Sequence, residues 1–145
     1  MKRFYKQNTK LFLIDLPLNF VFTTEVTTPS MEPVLPVGSQ VKVKKDIIQQ
    51  THEGDVIMFI NDNYSHPVVH RIIKKIKMGS EILLATKGDN AQSMDSYFVE
   101  QKNFIGVVIQ KLNDRGIYKD LNKPVIFLLP NWIRYIFNFF STIQV

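Results

Sequence analysis

A serine, a histidine and two aspartates occur in this chain in an order that can support acyl-transfer chemistry. Ser30 lies in Thr28-Pro29-Ser30-Met31-Glu32-Pro33. A serine hydroxyl is a weak nucleophile until a neighbouring base takes its proton. His70, in Val68-Val69-His70-Arg71-Ile72-Ile73, is of the type that serves as such a base. Asp89 follows in Thr86-Lys87-Gly88-Asp89-Asn90, and Asp95 lies six residues on. An aspartate beside a histidine orients the ring and stabilises the imidazolium that forms on proton uptake. Taken singly, each motif has a plainer reading. Ser30 is then a turn residue, His70 a core histidine and Gly88-Asp89-Asn90 a hairpin turn. Gly54-Asp55-Val56-Ile57-Met58-Phe59 alone reads only as a turn and a strand.

Composition removes the competing chemistries. The chain has no cysteine, which excludes thiolate catalysis, disulfides and thiolate zinc sites. Its three histidines, His52, His66 and His70, lack the His-Glu-x-x-His spacing of zinc proteases. Neither a metal nor a cofactor is therefore expected. The net charge of +5 could favour anionic surfaces, but the lysines are dispersed. Lys42, Lys44, Lys45, Lys74, Lys75 and Lys77 read as a solvated face.

The elements that must position these residues are strands. The 145 residues suit one domain, and 45% hydrophobic content argues against disorder. Residues 28–38 hold three prolines and a glycine and read as an irregular loop. Short apolar or alternating runs follow: Val41 with Val43, Asp55–Ile60, Val68–Ile76, Ile82–Ala85 and Phe104–Ile109. Asn61-Asp62-Asn63, Gly79-Ser80 and Gly88-Asp89-Asn90 punctuate them. The pattern predicts a mainly β domain of five or more strands. Alternation puts His70 on the same face as Val68 and Ile72, toward the core.

The two ends differ from this middle. Residues 1–10 are polar and basic, and residues 11–22, LFLIDLPLNFVF, are apolar but broken by Asp15 and Pro17. This run is shorter than the roughly 20 residues a spanning helix needs. It reads either as a degenerate membrane anchor or as a packed segment. Near the C-terminus, Asn131, Arg134, Asn138, Ser141 and Thr142 fall on one narrow arc at helical spacing. Trp132, Ile133, Ile136, Phe137, Phe139, Phe140 and Ile143 fill the rest, and Pro130 suits a helix start. The expectation is an amphipathic helix that buries its wide aromatic face at a membrane interface or against a partner.

Together the Ser-Met-x-Pro box, the Gly-Asp-Val strand, the His-Arg-Ile strand and the Gly-Asp-Asn turn with a second aspartate resemble type I signal peptidases. The resemblance spans about residues 28–110. It is closest to the branch of the endoplasmic reticulum, archaea and some Gram-positive bacteria, which carries histidine where common bacterial enzymes carry a lysine base. It implies Ser30 as nucleophile, His70 as general base and Asp95 as its acidic partner. Asp89 takes a supporting role. The oxyanion would meet the backbone N–H of Ser30 and the Thr28 hydroxyl, a donor of a kind worth roughly 3 kcal/mol. Met31 and Pro33 would contact substrate. Pro29 stands where the family usually has glycine.

The resemblance further implies a membrane-associated serine endopeptidase, its catalytic domain on the extracytoplasmic or lumenal side. It would cleave signal or leader peptides from exported precursors after small residues, working with membrane lipid and membrane partner subunits. The expected layout is a basic N-terminus with a degenerate anchor (1–27), a catalytic β domain (28–112) and a tail with the amphipathic helix (113–145). The alternative is a catalytically silent β domain of the same fold that binds a partner or membrane. Self-cleaving repressors share the fold, but 29 residues before Ser30 are too few for their DNA-binding domain. Nucleic acid is not an expected partner, because no aromatic residues interleave with the basic ones at 41–45 or 68–77.

Overall fold

The computed structural model describes residues 12–64, 66–112 and 118–120. Its midline follows from one short run. Val56-Ile57-Met58-Phe59 is apolar at every position, so neither face of that strand can be left to water. All four side chains are buried. Val56 and Met58 enter one hydrophobic cluster, with Met31, Leu35, Val41, Val43, Ile105 and Val108. Ile57 and Phe59 enter a second, with Ile48, Val68, Ile72, Leu84, Val99 and Phe104. The two-residue period of the strand divides the core into these layers.

The strands in chain order are β1 (Val21–Glu25), β2 (Gln40–Lys45), β3 (Val56–Phe59), β4 (Val68–Met78), β5 (Glu81–Lys87), β6 (Phe98–Val99), β7 (Phe104–Leu112) and β8 (Tyr118–Asp120). They form one antiparallel sheet in the order β1-β2-β7-β3-β4-β5-β6, with β8 pairing β7. The mainly β architecture expected from the sequence is present, and each of the five expected runs forms a strand. β1 extends the sheet to residues before 28, because Val21–Glu25 pairs with Gln40–Lys44. Residues 21–25 are thus part of the sheet.

One expectation meets a different arrangement. Lys45 is buried rather than solvated, in phase with Val41 and Val43. The chain at Asn19 and Phe20 covers it through two backbone hydrogen bonds of 2.9 and 2.8 Å. Burial pulls the Lys45 pKa below its ordinary value, against the opposing pull of Asp15. In the apolar run, Leu13 and Ile14 pack on the first cluster and Val21 and Phe22 belong to β1. Among the described residues, no helix is long and apolar enough to cross a membrane. The C-terminal amphipathic helix expected near residues 130–143 lies outside the described residues.

Candidate active site

His70 owes its position to β4. It sits opposite Ile57 of β3 and between Val68 and Ile72, both buried, so the ring lies on the face of β4 that carries the second cluster. Its side chain is only 12% exposed. Phe59 meets the ring edge-on, with centroids 6.2 Å apart and planes at 70°. This restricts how the imidazole can tilt. Nδ1 lies 2.7 Å from Oδ2 of Asp95. A carboxylate accepts and does not donate, so Nδ1 carries the proton and Nε2 is left as the acceptor. That is the tautomer a general base requires.

Asp95 is itself held. The buried Thr86 on β5 donates its hydroxyl to the same Oδ2 at 2.6 Å, and the Asp95 N–H returns a bond to the Thr86 carbonyl at 2.9 Å. Thr86 lies inside a motif visible in the sequence, yet its type alone assigned it no role. Only the position of the following loop reveals its partner.

Ser30 occupies a 3-10 turn, Pro29–Met31, whose first residue has the fixed φ that suits a helical start. Met31 is 1% exposed and pins the turn into the first cluster, a burial worth about 2 kcal/mol. The Ser30 hydroxyl lies 3.3 Å from that of Thr28. From the other side, Asn90 donates its N–H to the Ser30 carbonyl at 2.9 Å and its side-chain amide to the Pro29 carbonyl at 3.2 Å.

The Gly88-Asp89-Asn90 turn is tied in turn to β4. Arg71 follows His70 and so points to the opposite face, where it is fully buried. It donates from Nε to Asp89 Oδ1 at 2.8 Å, from its terminal nitrogen to Asp89 Oδ2 at 2.7 Å, and to the Gly54 carbonyl at 2.8 Å. This bidentate geometry pairs a buried cation that would otherwise be untenable. Gly88 is where the parts converge. A Cβ there would stand 2.5 Å from the Ser30 carbonyl oxygen and 3.2 Å from His70 Nε2. The Ser30 main chain and the His70 ring therefore both close on Gly88, where only a residue without a side chain fits.

A groove of about 250 Å³ is lined by Ser30 and His70 together with Val26, Thr28, Met31, Val68, Tyr64 and His66. Much of its lining is apolar, with Val26, Met31 and Val68 among the residues facing it. Val68–His70 pairs with β3 on one side, while β5 joins β4 only from Arg71 onward. The edge of β4 facing the groove is thus open among the described residues. Of the residues expected to contact substrate, Met31 lines the groove. Pro33 is exposed on the surface and does not line it. Among the described residues there is no cluster suited to a metal ion.

No family model matches the chain. Curated relatives do. The chain is 35% identical over 92 residues to the signal peptidase complex catalytic subunit SEC11 of Colletotrichum graminicola, covering 58% of this chain and 54% of that protein. The subunit of the same name from Pyricularia oryzae is 32% identical over 92 residues, with the same coverage of each chain. Signal peptidase I W of Bacillus subtilis is 38% identical over 89 residues, covering 60% of this chain and 46% of that protein. The chain thus spans about half the length of the curated relatives it matches. Fungal and bacterial relatives alike carry the signal peptidase name, and over more than half of its length the chain is similar to the type I signal peptidase family.

Proposed function

We propose that this chain is a serine endopeptidase that removes signal or leader peptides from exported precursors, cutting after small residues. The observation that carries the reading is the 2.7 Å contact of His70 with Asp95 beside Ser30, on a groove with an open strand edge. An extended precursor segment adds to the Val68–His70 edge by backbone hydrogen bonding. Small side chains enter the groove over Met31. His70 Nε2 takes the Ser30 proton as the hydroxyl oxygen attacks the scissile carbonyl. The Ser30 N–H and the Thr28 hydroxyl receive the developing oxyanion. His70 then gives its proton to the departing amine, and water releases the acyl-enzyme with His70 again as base. Asp95 orients the ring throughout, and Asp89 acts through Arg71 on the architecture.

The same reading places the protein at a membrane, with the β domain on the extracytoplasmic or lumenal side and with membrane partner subunits. The relatives named as subunits of a signal peptidase complex support this. The test is incubation in detergent or liposomes with a precursor bearing an Ala-x-Ala site. Cleavage by wild type and its loss in folded Ser30→Ala and His70→Ala variants is the expected result. Normal activity of a folded His70→Ala protein would end the proposal. No cleavage by wild type on a panel of such precursors would favour the silent binding domain.

A further inference from the structure

Asp95 lies in a loop that gives it little support. Ala91, Gln92, Ser93, Met94 and Ser96 around it are all exposed. A carboxylate on such a segment has two rotatable side-chain bonds that its exposed loop neighbours do not fix, although the Asp95 side chain is only 13% exposed. Yet Asp95 must hold one oxygen within hydrogen-bond reach of His70. The rigid element nearest to it is β5, and the contact runs through Thr86.

We propose that Thr86 is a positioning residue that fixes the Asp95 carboxylate against His70. This rests on the peptidase reading of the site. Three observations carry it. Thr86 is fully buried, so its hydroxyl has no water to satisfy it and depends on a protein partner. Its 2.6 Å bond ends on Oδ2, the same oxygen that receives His70 Nδ1. Its carbonyl also takes the Asp95 N–H at 2.9 Å, so main chain and side chain of Asp95 are both tied to one residue.

Register explains why this position does the work. Thr86 pairs with Ile72, which lies two residues beyond His70 on the same face of β4. The hydroxyl therefore emerges under the imidazole and not beyond it. The β-branched side chain is stiff at χ1, so its oxygen is aimed by the backbone of a paired strand. Thr86 touches neither the nucleophile nor the scissile bond in this arrangement. It acts through Asp95.

The test compares Thr86→Val, which keeps the shape and removes the donor, with Thr86→Ser, which keeps the donor. Thr86→Val should lower kcat about 10- to 100-fold, the usual effect of losing a hydrogen bond to a charged group, with KM little changed. Thr86→Ser should retain most of the activity. In an Asp95→Asn background, Thr86→Val should cause no comparable further loss, because both changes break one chain of contacts. An activity-independent readout is the His70 Nδ1 proton in nitrogen-15 histidine NMR. It should weaken or shift in Thr86→Val and persist in Thr86→Ser. If Thr86→Val does not fold, Thr86→Ala carries the same comparison.

A Thr86→Val protein with wild-type kcat and an unchanged Nδ1 proton would overturn the proposal. So would an equal loss in the Asp95→Asn background, which would mean a separate structural effect. If wild type cleaves nothing, the peptidase reading fails, and the NMR comparison still decides whether Thr86 holds Asp95 against His70.

Discussion

Nδ1 of His70 and Oδ2 of Asp95 meet at 2.7 Å across twenty-five positions of chain, while Arg71, the very next residue, grips Asp89 from the other face of β4. Two adjacent side chains thus hold two aspartates of one loop for different ends. On the proposed reading the His70 contact orients a base, while the Arg71 contact neutralises a buried cation. Asp95→Asn should lower kcat by about 10³- to 10⁴-fold with little change in melting temperature, since the carboxamide no longer enforces the tautomer. Asp89→Asn should instead cost roughly 3 kcal/mol of stability, because it leaves the Arg71 charge buried and half-paired. Urea unfolding and steady-state kinetics on both variants check the division. Equal effects on stability would contradict it.

Gly88 gives a sharper test of geometry. The substitution Gly88→Ala adds one methyl group, which must push against the Ser30 carbonyl and the His70 ring. The backbone oxygen cannot yield as a flexible side chain would. Displacement of nucleophile from base by even about 1 Å can cost on the order of 100-fold in rate. The variant should lose most of its activity while circular dichroism shows the β domain still folded. A folded Gly88→Ala enzyme with wild-type kcat/KM would show that the two groups need not be so close.

Tyr97 supplies a pH signature of the core behind the site. Its ring meets Phe59 edge-on at 6.0 Å, and its hydroxyl is buried without a hydrogen bond of good geometry. Burial, reinforced by Asp95 and Tyr64, pushes its pKa up to about 12. The ordinary value is about 10. Between those values the unfolded chain has released the proton that the folded chain keeps, so stability falls as pH rises. Below about pH 10 the contribution is fully present. Tyr97→Phe should therefore lose less stability than wild type between about pH 10 and 12 in denaturant titrations. Parallel curves for the two proteins would refute this.

The aromatic sequence at residues 124–145 is proposed to attach the protein to lipid, on its composition and spacing. Deleting it should lower the fraction that co-sediments with liposomes while leaving the β domain folded by circular dichroism. An unchanged bound fraction would assign attachment elsewhere.

The sheet was legible wherever apolar residues ran or alternated between turn residues, as in Val56–Phe59 and Val68–Ile76. β1 was not, because Val21 and Phe22 continue an apolar run that imitates the start of an anchor. β6, at two residues, is too short for any period to register. Ser30, His70 and Asp95 were legible as chemical types, and their proximity was legible only through family resemblance. Alternation put Lys45 in phase with Val41 and Val43, but the lysine's charge suggested solvent, and the covering Asn19–Phe20 segment decided the matter. Thr86 and Phe59 escaped notice for a common reason. A buried threonine and a core phenylalanine look alike in every strand until the loop or ring they support is located.

The open edge of Val68–His70 carries a consequence for the order of events in the cell. On the proposed reading, a substrate docks by lending its own backbone as an extra strand. A junction still coiled as a helix, or folded into the passenger domain, has those backbone groups already engaged. Such a precursor would be passed over whatever residues flank its cleavage site. Processing would then act as a check on conformation before composition, releasing only those chains whose junction has been drawn out straight.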